Sequence, residues 1–195
     1  MLDNSLKFLL LNYWRSLDKK ILICFLILFF LGVFFSFSST SFLAGERLNK
    51  DYYFFFIKHL NFTFLALTIM VFLSIIKTKI LIKLVTPLFF LSFILLALVP
   101  VVGIEVKGAK RWLDLYFFRL QPIEILKPLF ILMTVKILTF DKLKETQVRY
   151  FFSFLLLASV IILLIDQPDL GQSILLIGTW VATVFVSGVS LIYIF

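Results

Sequence analysis

The chain has 195 residues, of which 62% are hydrophobic and 26 are phenylalanine, and its formal net charge at pH 7 is +8. A water-soluble protein of this size neither needs nor tolerates so much apolar side chain, so the composition excludes a soluble domain. The apolar residues form continuous runs of about 20 residues, unlike the short alternating segments of a membrane β-barrel, which indicates an all-α, polytopic transmembrane helical bundle.

The apolar runs predict six complete transmembrane helices followed by the start of a seventh in 191–195. The predicted ranges are 21–43, 54–76, 84–102, 121–140, 150–165 and 172–189. We assign 1–20 to a cytoplasmic N-terminal segment and 21–195 to a single membrane domain. A helix that begins without being completed suggests that the chain is the N-terminal part of a longer protein.

Basic residues mark alternate connections between the predicted helices. They lie before the first helix, after the second and after the fourth: Lys7, Arg15, Lys19, Lys20, Lys77, Lys79, Lys83, Lys142, Lys144 and Arg149. Because cytoplasmic loops of membrane proteins are enriched in Lys and Arg, this pattern places the N-terminus in the cytoplasm. Topology is therefore the first explanation of the positive charge, ahead of nucleic-acid binding.

The predicted outer loop from 103 to 120 departs from this charge rule. It carries Lys107, Lys110, Arg111 and Arg119 against Glu105 and Asp114. Lys110 and Arg111 precede Trp112, a residue type that favours the membrane interface. The two cations could grip a phosphate of an anionic ligand, with Trp112 holding them in place. Charge alone equally allows a solvated loop with an aromatic anchor.

Three polar residues recur at a spacing of three at the start of the next helix: Gln121, Glu124 and Lys127. On a helix they lie within reach of one another, and Pro122 suits the first helical turn. Lys127 lies in an apolar helix, where an ammonium must pair, snorkel or meet an anion. We expect Glu124 to be its partner, either in a pair that only neutralises itself or in an anion-binding site.

A short polar turn, Asp166–Gly171, joins the last two complete helices. Pro168 and Gly171 are typical turn residues, and Asp can cap the following helix, which favours plain turn chemistry. Its carboxylates could instead bind a cation or face the basic loop. A metal site built on Cys24 and His59 is not predicted, because each is the only residue of its type in the sequence.

Three motifs, GAKRW at 108–112, QPIEILK at 121–127 and QPDLG at 167–171, together resemble the SEDS family (FtsW, RodA and SpoVE). Within the family, the chain is most similar to FtsW of the α-proteobacterial type. The resemblance covers nearly the whole chain, although Ile123 stands where the family usually has Ser. It implies a fold of about ten bilayer-spanning helices, of which this chain contains the first part.

The resemblance implies a peptidoglycan glycosyltransferase of cell division that polymerises lipid II at the outer face of the bacterial inner membrane. It points to a substrate-binding set of Lys110, Arg111, Trp112, Gln121, Glu124, Lys127, Gln167 and Asp169. Lys110, Arg111 and Lys127 would neutralise charge on a pyrophosphate leaving group, and a divalent cation (Mg or Mn) could assist together with Asp169. The acidic residue that the family uses in catalysis is expected beyond residue 195, so this part is expected to be inactive alone.

The partners implied by the resemblance are a monofunctional transpeptidase (a class B penicillin-binding protein), divisome proteins and membrane lipids, with no nucleic acid. Three other functions stay open. A lipid II flippase would move the lipid across the membrane without forming polymer. A RodA-like glycosyltransferase would act in cell elongation, and a non-enzymatic scaffold would only recruit partners.

Overall fold

The computed structural model describes residues 8, 11, 13–15, 17–48, 53–106, 108–116, 118–140 and 145–188, with the side chains of 39–48 outside this description. Its elements are α1 (Lys19–Leu48), α2 (Phe54–Ile75), α3 (Thr78–Val102), β1 (Ile104–Val106), β2 (Ala109–Asp114), β3 (Arg119–Leu120), α4 (Pro122–Leu138), α5 (Thr146–Asp166) and α6 (Leu170–Val186). The predicted helical class is confirmed, and each of the six predicted helices has a counterpart. The predicted start of a seventh helix lies outside the described residues.

Helix lengths separate the elements into two groups. Among the described residues, four segments are long and apolar enough to cross a membrane: Lys19–Ser38 within α1, Phe54–Ile75, Thr78–Val102 and Thr146–Asp166. Helix α6 is apolar but has 17 residues, and α4 has 17 residues that include Glu124, Lys127 and Lys136. Both shorter helices border the polar turns that the sequence singled out.

The chain divides into two compact units, Met1–Lys77 and Thr78–Phe195. In the first unit α1 packs against α2, and no residue of α2 is buried. Large apolar side chains such as Phe30 and Phe64 are mostly exposed, as expected for helices whose solvent is lipid. The predicted single membrane domain over 21–195 stays a prediction.

The second unit has a buried core to which α3, α4, α5 and α6 all contribute. The core cluster consists of Phe89, Leu96, Ile123, Leu126, Phe130, Leu157, Val160, Leu164 and Leu176. Small hydroxyl side chains are buried within the same helices, and one of them, Ser153, accepts a hydrogen bond from Trp180 Nε1 at 3.3 Å. Small residues at such positions allow helix backbones to approach closely in a membrane.

Three short antiparallel strands, in the order β1-β2-β3, connect α3 to α4 and were not predicted from the sequence. The first hairpin turns between Val106 and Ala109, where Gly108 has a φ of 79°, a conformation that residues with a Cβ adopt only at a cost. At the second turn Tyr116 has a φ of 70°, and its N–H donates to Asp114 Oδ1 at 3.2 Å. The central strand of this small sheet carries Lys110 and Arg111.

Candidate functional site

Strand β2 carries Lys110 and Arg111 at the point where its register with β1 shifts by one residue, since Lys110 pairs with Glu105 and Trp112 pairs with Ile104. Lys110 is exposed, and its Nζ donates to the carbonyl oxygen of Pro100 at 3.3 Å. That carbonyl belongs to the last turn of α3, where helix carbonyls lack intrahelical donors. Lys110 therefore caps the end of α3 and fastens the hairpin to it.

Arg111 binds the turn between α5 and α6. Its Nη2 donates to the carbonyl of Pro168 at 2.5 Å, its Nε donates to the carbonyl of Gln167 at 3.4 Å, and its Nε lies 3.6 Å from Asp169 Oδ2. The Arg111 side chain is 36% exposed, whereas that of Asp169 is 10% exposed. The arginine of GAKRW thus pairs with the carboxylate of QPDLG and joins two motifs.

Gln167 ties the same turn to α3. It is 3% exposed, and its Nε2 donates to the carbonyl oxygen of Leu96 at 2.9 Å. In a regular helix this carbonyl would accept from the residue four positions later, which here is Pro100 and has no N–H. The Gln167 amide therefore supplies the donor that Pro100 removes.

Asp169 is the N-cap of α6, in agreement with the capping chemistry that the sequence favours. Its Oδ1 accepts from the backbone N–H of Gln172 at 3.5 Å, and its own N–H donates to the carbonyl of Leu164 at 3.0 Å. Capping and the contact with Arg111 use both carboxylate oxygens. The acidic side chain is thus held at the positive end of the α6 dipole.

The predicted pairing of Glu124 with Lys127 is present in the first two turns of α4. Lys127 Nζ lies 2.8 Å from Glu124 Oε2, and the Lys127 side chain is 21% exposed. The other oxygen, Glu124 Oε1, accepts from Gln172 Nε2 at 3.1 Å. Lys127 therefore meets a carboxylate whose position is fixed from a second helix.

These contacts form one connected set, which we call the polar network: Arg111, Glu124, Lys127, Asp169 and Gln172. The main chain of Gln172 bonds to Asp169 and its side chain bonds to Glu124, so the two ion pairs are linked through one residue. Sequence reasoning missed Gln172. The available signal was its position three residues after the capping Asp169, in the first turn of an otherwise apolar helix.

Two other predicted site residues lie at the edges of this region. Gln121 is the N-cap residue of α4, but its side chain makes no capping bond, and its carbonyl accepts from Glu124 N–H at 3.1 Å. Trp112 is half-buried in β2 opposite Ile104. Within the described ranges no side-chain hydrogen bond joins Gln121 or Trp112 to the polar network, and their binding roles stay predictions.

The described side chains provide few ligands for a divalent cation. In the part of the chain that the structure describes, no group of three or more His, Cys, Asp or Glu residues is arranged to hold a metal ion. Asp169, the predicted ligand, faces the Arg111 guanidinium and an N–H group. The predicted assistance by Mg or Mn gains no support from this arrangement.

Comparison with known proteins identifies the family. The model of the FtsW/RodA/SpoVE family, described as cell cycle proteins, matches residues 18–195. The chain belongs to this family. Family membership and the four candidate spans together make it a multi-pass membrane protein. The resemblance to SEDS proteins is confirmed, and the α-proteobacterial subtype stays a prediction.

Similar curated proteins include two described as probable peptidoglycan glycosyltransferase FtsW. The protein of Aliivibrio salmonicida is 33% identical over 156 residues, which cover 79% of this chain and 39% of the relative. That of Coxiella burnetii is 31% identical over 180 residues, which cover 90% of this chain and 48% of the relative. The chain thus spans less than half the length of these relatives.

Solved structures of similar fold include the rod shape determining protein RodA of Thermus thermophilus. It matches with a TM-score of 0.69 and 27% identity over 91% of this chain and 56% of that chain. A chain from a peptidoglycan synthase complex, studied for the structural coordination of polymerization and crosslinking, matches with a TM-score of 0.68 and 30% identity over 84% of this chain and 46% of that chain.

Ile123, which stands where the family motif usually has Ser, is buried in the helical core.

Proposed function

We propose that this chain forms part of a peptidoglycan glycosyltransferase of the FtsW type, which polymerises lipid II during cell division. The observation that carries the proposal is the polar network, which links Arg111 and Lys127 from two motifs into one connected set. The FtsW relatives support the class of reaction. Among the substrate contacts predicted from the sequence, Lys127 is the one that we place at the leaving group.

The reaction requires a cationic site for a leaving group. The 4-hydroxyl of one disaccharide attacks the anomeric carbon of another, a new glycosidic bond forms, and the bond to pyrophosphate breaks. Undecaprenyl pyrophosphate leaves with the bonding electron pair, and the hydroxyl proton passes to a base. Fixed cations in a site of low dielectric stabilise this developing negative charge.

Lys127 has the properties of such a cation. Its ammonium carries three donors, of which the contact with Glu124 uses one. The Lys127 side chain is partly exposed, so an anion can reach the ammonium. Because the ammonium is already partly desolvated, binding an anion removes less water from it than from a fully exposed lysine. We infer that pyrophosphate binds the remaining donors of Lys127, while Arg111 mainly holds the 167–169 turn against the hairpin.

Topology agrees with a substrate at the outer face of the inner membrane. The polar network lies where α3 and α5 end and where α4 and α6 begin. If the basic connections keep the N-terminus in the cytoplasm, this end of the second unit faces outward. A class B penicillin-binding protein and divisome proteins are the proposed partners, and the similarity to a peptidoglycan synthase complex supports a crosslinking partner.

A chimera tests the proposal. Residues 18–195 replace the matching segment of the Aliivibrio salmonicida FtsW, and glycan strands are measured from lipid II in liposomes that contain a class B penicillin-binding protein. We expect strands from the chimera and a rate about 100-fold lower after Lys127→Ala, because a charge-stabilising donor is lost. Thr179→Val is the matched control, since in the described part of the chain its hydroxyl bonds only within α6, to Leu176 O.

A correctly inserted chimera that makes no strands would contradict the proposal. Insertion is checked by size-exclusion chromatography in detergent and by protease protection in the liposomes. If lipid II crosses the bilayer without forming polymer, the flippase alternative takes its place.

A further inference from the structure

Gln172 lies outside the three motifs, yet it contacts both ion pairs of the polar network. We propose that Gln172 is a positioning residue that couples the Arg111–Asp169 pair to the Glu124–Lys127 pair and so holds Lys127 ready for an anion. The identity of the anion as pyrophosphate rests on the proposed function. The coupling of α4 to α6 is independent of that function, because it is argued from the contacts of Gln172 alone.

The Glu124–Lys127 pair needs an external contact to be well ordered. Its residues are three apart on one helix, and the Glu124 side chain is 51% exposed. Pairs of this kind are weak in isolation because two long side chains must be held in one geometry. Gln172 Nε2 binds the oxygen of Glu124 that Lys127 does not use. It therefore restricts the carboxylate to the rotamer that faces Lys127.

The orientation of the Gln172 amide supports a role in the site. A carboxylate only accepts hydrogen bonds, so the amide NH₂ must face Glu124. This orientation leaves Gln172 Oε1 buried, with no hydrogen-bond partner in the described part of the chain. A buried carbonyl oxygen without a donor is unfavourable. Fold stability alone thus gives a poor account of a glutamine here, whereas positioning of Glu124 accounts for it.

The main chain of Gln172 connects this contact to the neighbouring turn. Its N–H donates to Asp169 Oδ1, and Asp169 Oδ2 faces Arg111. The side chain thus starts from a backbone position that the α6 cap already fixes. A continuous series of contacts therefore runs from Arg111 in the hairpin, through the α6 cap and Gln172, to the carboxylate that holds the Lys127 ammonium.

A first experiment needs no substrate. The full chain in lipid nanodiscs is treated with a water-soluble amine-acylating reagent, and the rate at Lys127 is measured by mass spectrometry. We expect Gln172→Leu and Gln172→Asn each to raise this rate about threefold, as the loss of one hydrogen bond would. Leucine lacks the amide and asparagine is one methylene too short, so two different variants test the same contact.

A double-mutant cycle separates coupling from general loosening of the fold. In a Glu124→Ala background, Gln172→Leu is expected to leave the acylation rate unchanged, because the partner of the amide is already absent. Thr179→Val on the same helix is the control and is expected to change nothing. Equal effects of Gln172→Leu with and without Glu124 would overturn the coupling, and so would no effect in either background.

A second experiment measures binding of undecaprenyl pyrophosphate to the same nanodiscs. Gln172→Leu is expected to weaken binding about fivefold, and to do so only when Glu124 is present. Unchanged affinity alongside a changed acylation rate would overturn the positioning role. If the unmodified chain does not bind this lipid, the proposed function fails, while the acylation cycle still decides whether Gln172 couples the two helices.

Discussion

The two ends of α4 handle positive charge in different ways. At its beginning, Lys127 faces a carboxylate that a second helix fixes through Gln172. Near its end, Lys136 Nζ donates to the hydroxyl of Thr86 at 2.6 Å, and Arg149 Nη1 donates to the carbonyl of Leu138 at 3.2 Å. The Thr86 hydroxyl and the Leu138 carbonyl are both neutral oxygens, and the negative pole of the helix dipole favours cations at this end.

This difference distinguishes a cation that can bind a ligand from a cation that only stabilises the end of a helix. A cation at a helix C-terminus is stable where it is and needs no ligand. Lys127 lies in the second turn of an apolar helix, where an ammonium needs an anion, and here Glu124 supplies one. When a stronger anion such as pyrophosphate arrives, exchange of partners is favourable only at the beginning of α4. The predictions below test this contrast in order of decreasing expected effect.

The largest effect is expected from a matched pair of charge removals, Lys127→Met and Lys136→Met. Each removes one positive charge from α4 and keeps an unbranched side chain. Lys127→Met should weaken binding of undecaprenyl pyrophosphate in nanodiscs by about 30-fold, because a charge-assisted hydrogen bond is lost. Lys136→Met should change the affinity by less than about twofold, since its charge is far from the site. Similar losses in both variants would show that only total charge matters.

A smaller effect is expected at the turn that supports the polar network. Gln167→Leu should lower the free energy of unfolding by about 2 kcal/mol, measured by denaturant titration in detergent, because the Leu96 carbonyl loses its donor. In a Pro100→Ala background the loss should fall to about half, since residue 100 then offers an N–H to that carbonyl. Equal losses in the two backgrounds would show that Pro100 does not create the need for Gln167.

The smallest effect concerns the hairpin. Gly108→Ala should lower the free energy of unfolding by about 1 kcal/mol, because a φ of 79° strains any residue that has a Cβ. Gly178→Ala is the control: a Cβ there meets nothing within 4 Å, and alanine favours a helix. The same unfolding titration checks both variants. A loss at Gly178 equal to that at Gly108 would point to a general sensitivity of the second unit.

Local contacts of the site could be predicted from the sequence, whereas the distant contact of Asp169 with the basic loop was only one of several alternatives. The Glu124–Lys127 pair and the capping role of Asp169 follow from spacing along a helix, and both are present. Arg111 lies 56 positions from Gln167, and their contact depends on a hairpin whose strands are too short to show a clear period. The sequence left a phosphate clamp and a solvated loop equally open at Arg111, and it did not reveal that the guanidinium holds the turn.

The helices were predictable for a different reason. A bilayer requires long apolar segments with internally bonded backbones, so composition alone reveals them. The same requirement says little about which helix meets which. The contact of Gln167 with the Leu96 carbonyl joins residues 71 apart, and only the missing N–H of Pro100 hints that such a donor is needed.

That distant donor has a consequence for how the chain assembles. Helix α3 is synthesised and inserted well before Gln167 leaves the ribosome, so the Leu96 carbonyl must first be satisfied by water or a lipid headgroup. The last turn of α3 reaches its final state only when the turn between α5 and α6 displaces that temporary partner. Completion of the second unit therefore coincides with the exchange of this temporary partner of the Leu96 carbonyl for the Gln167 amide. Isotope-edited infrared spectroscopy of the Leu96 carbonyl would follow this late step in biogenesis directly.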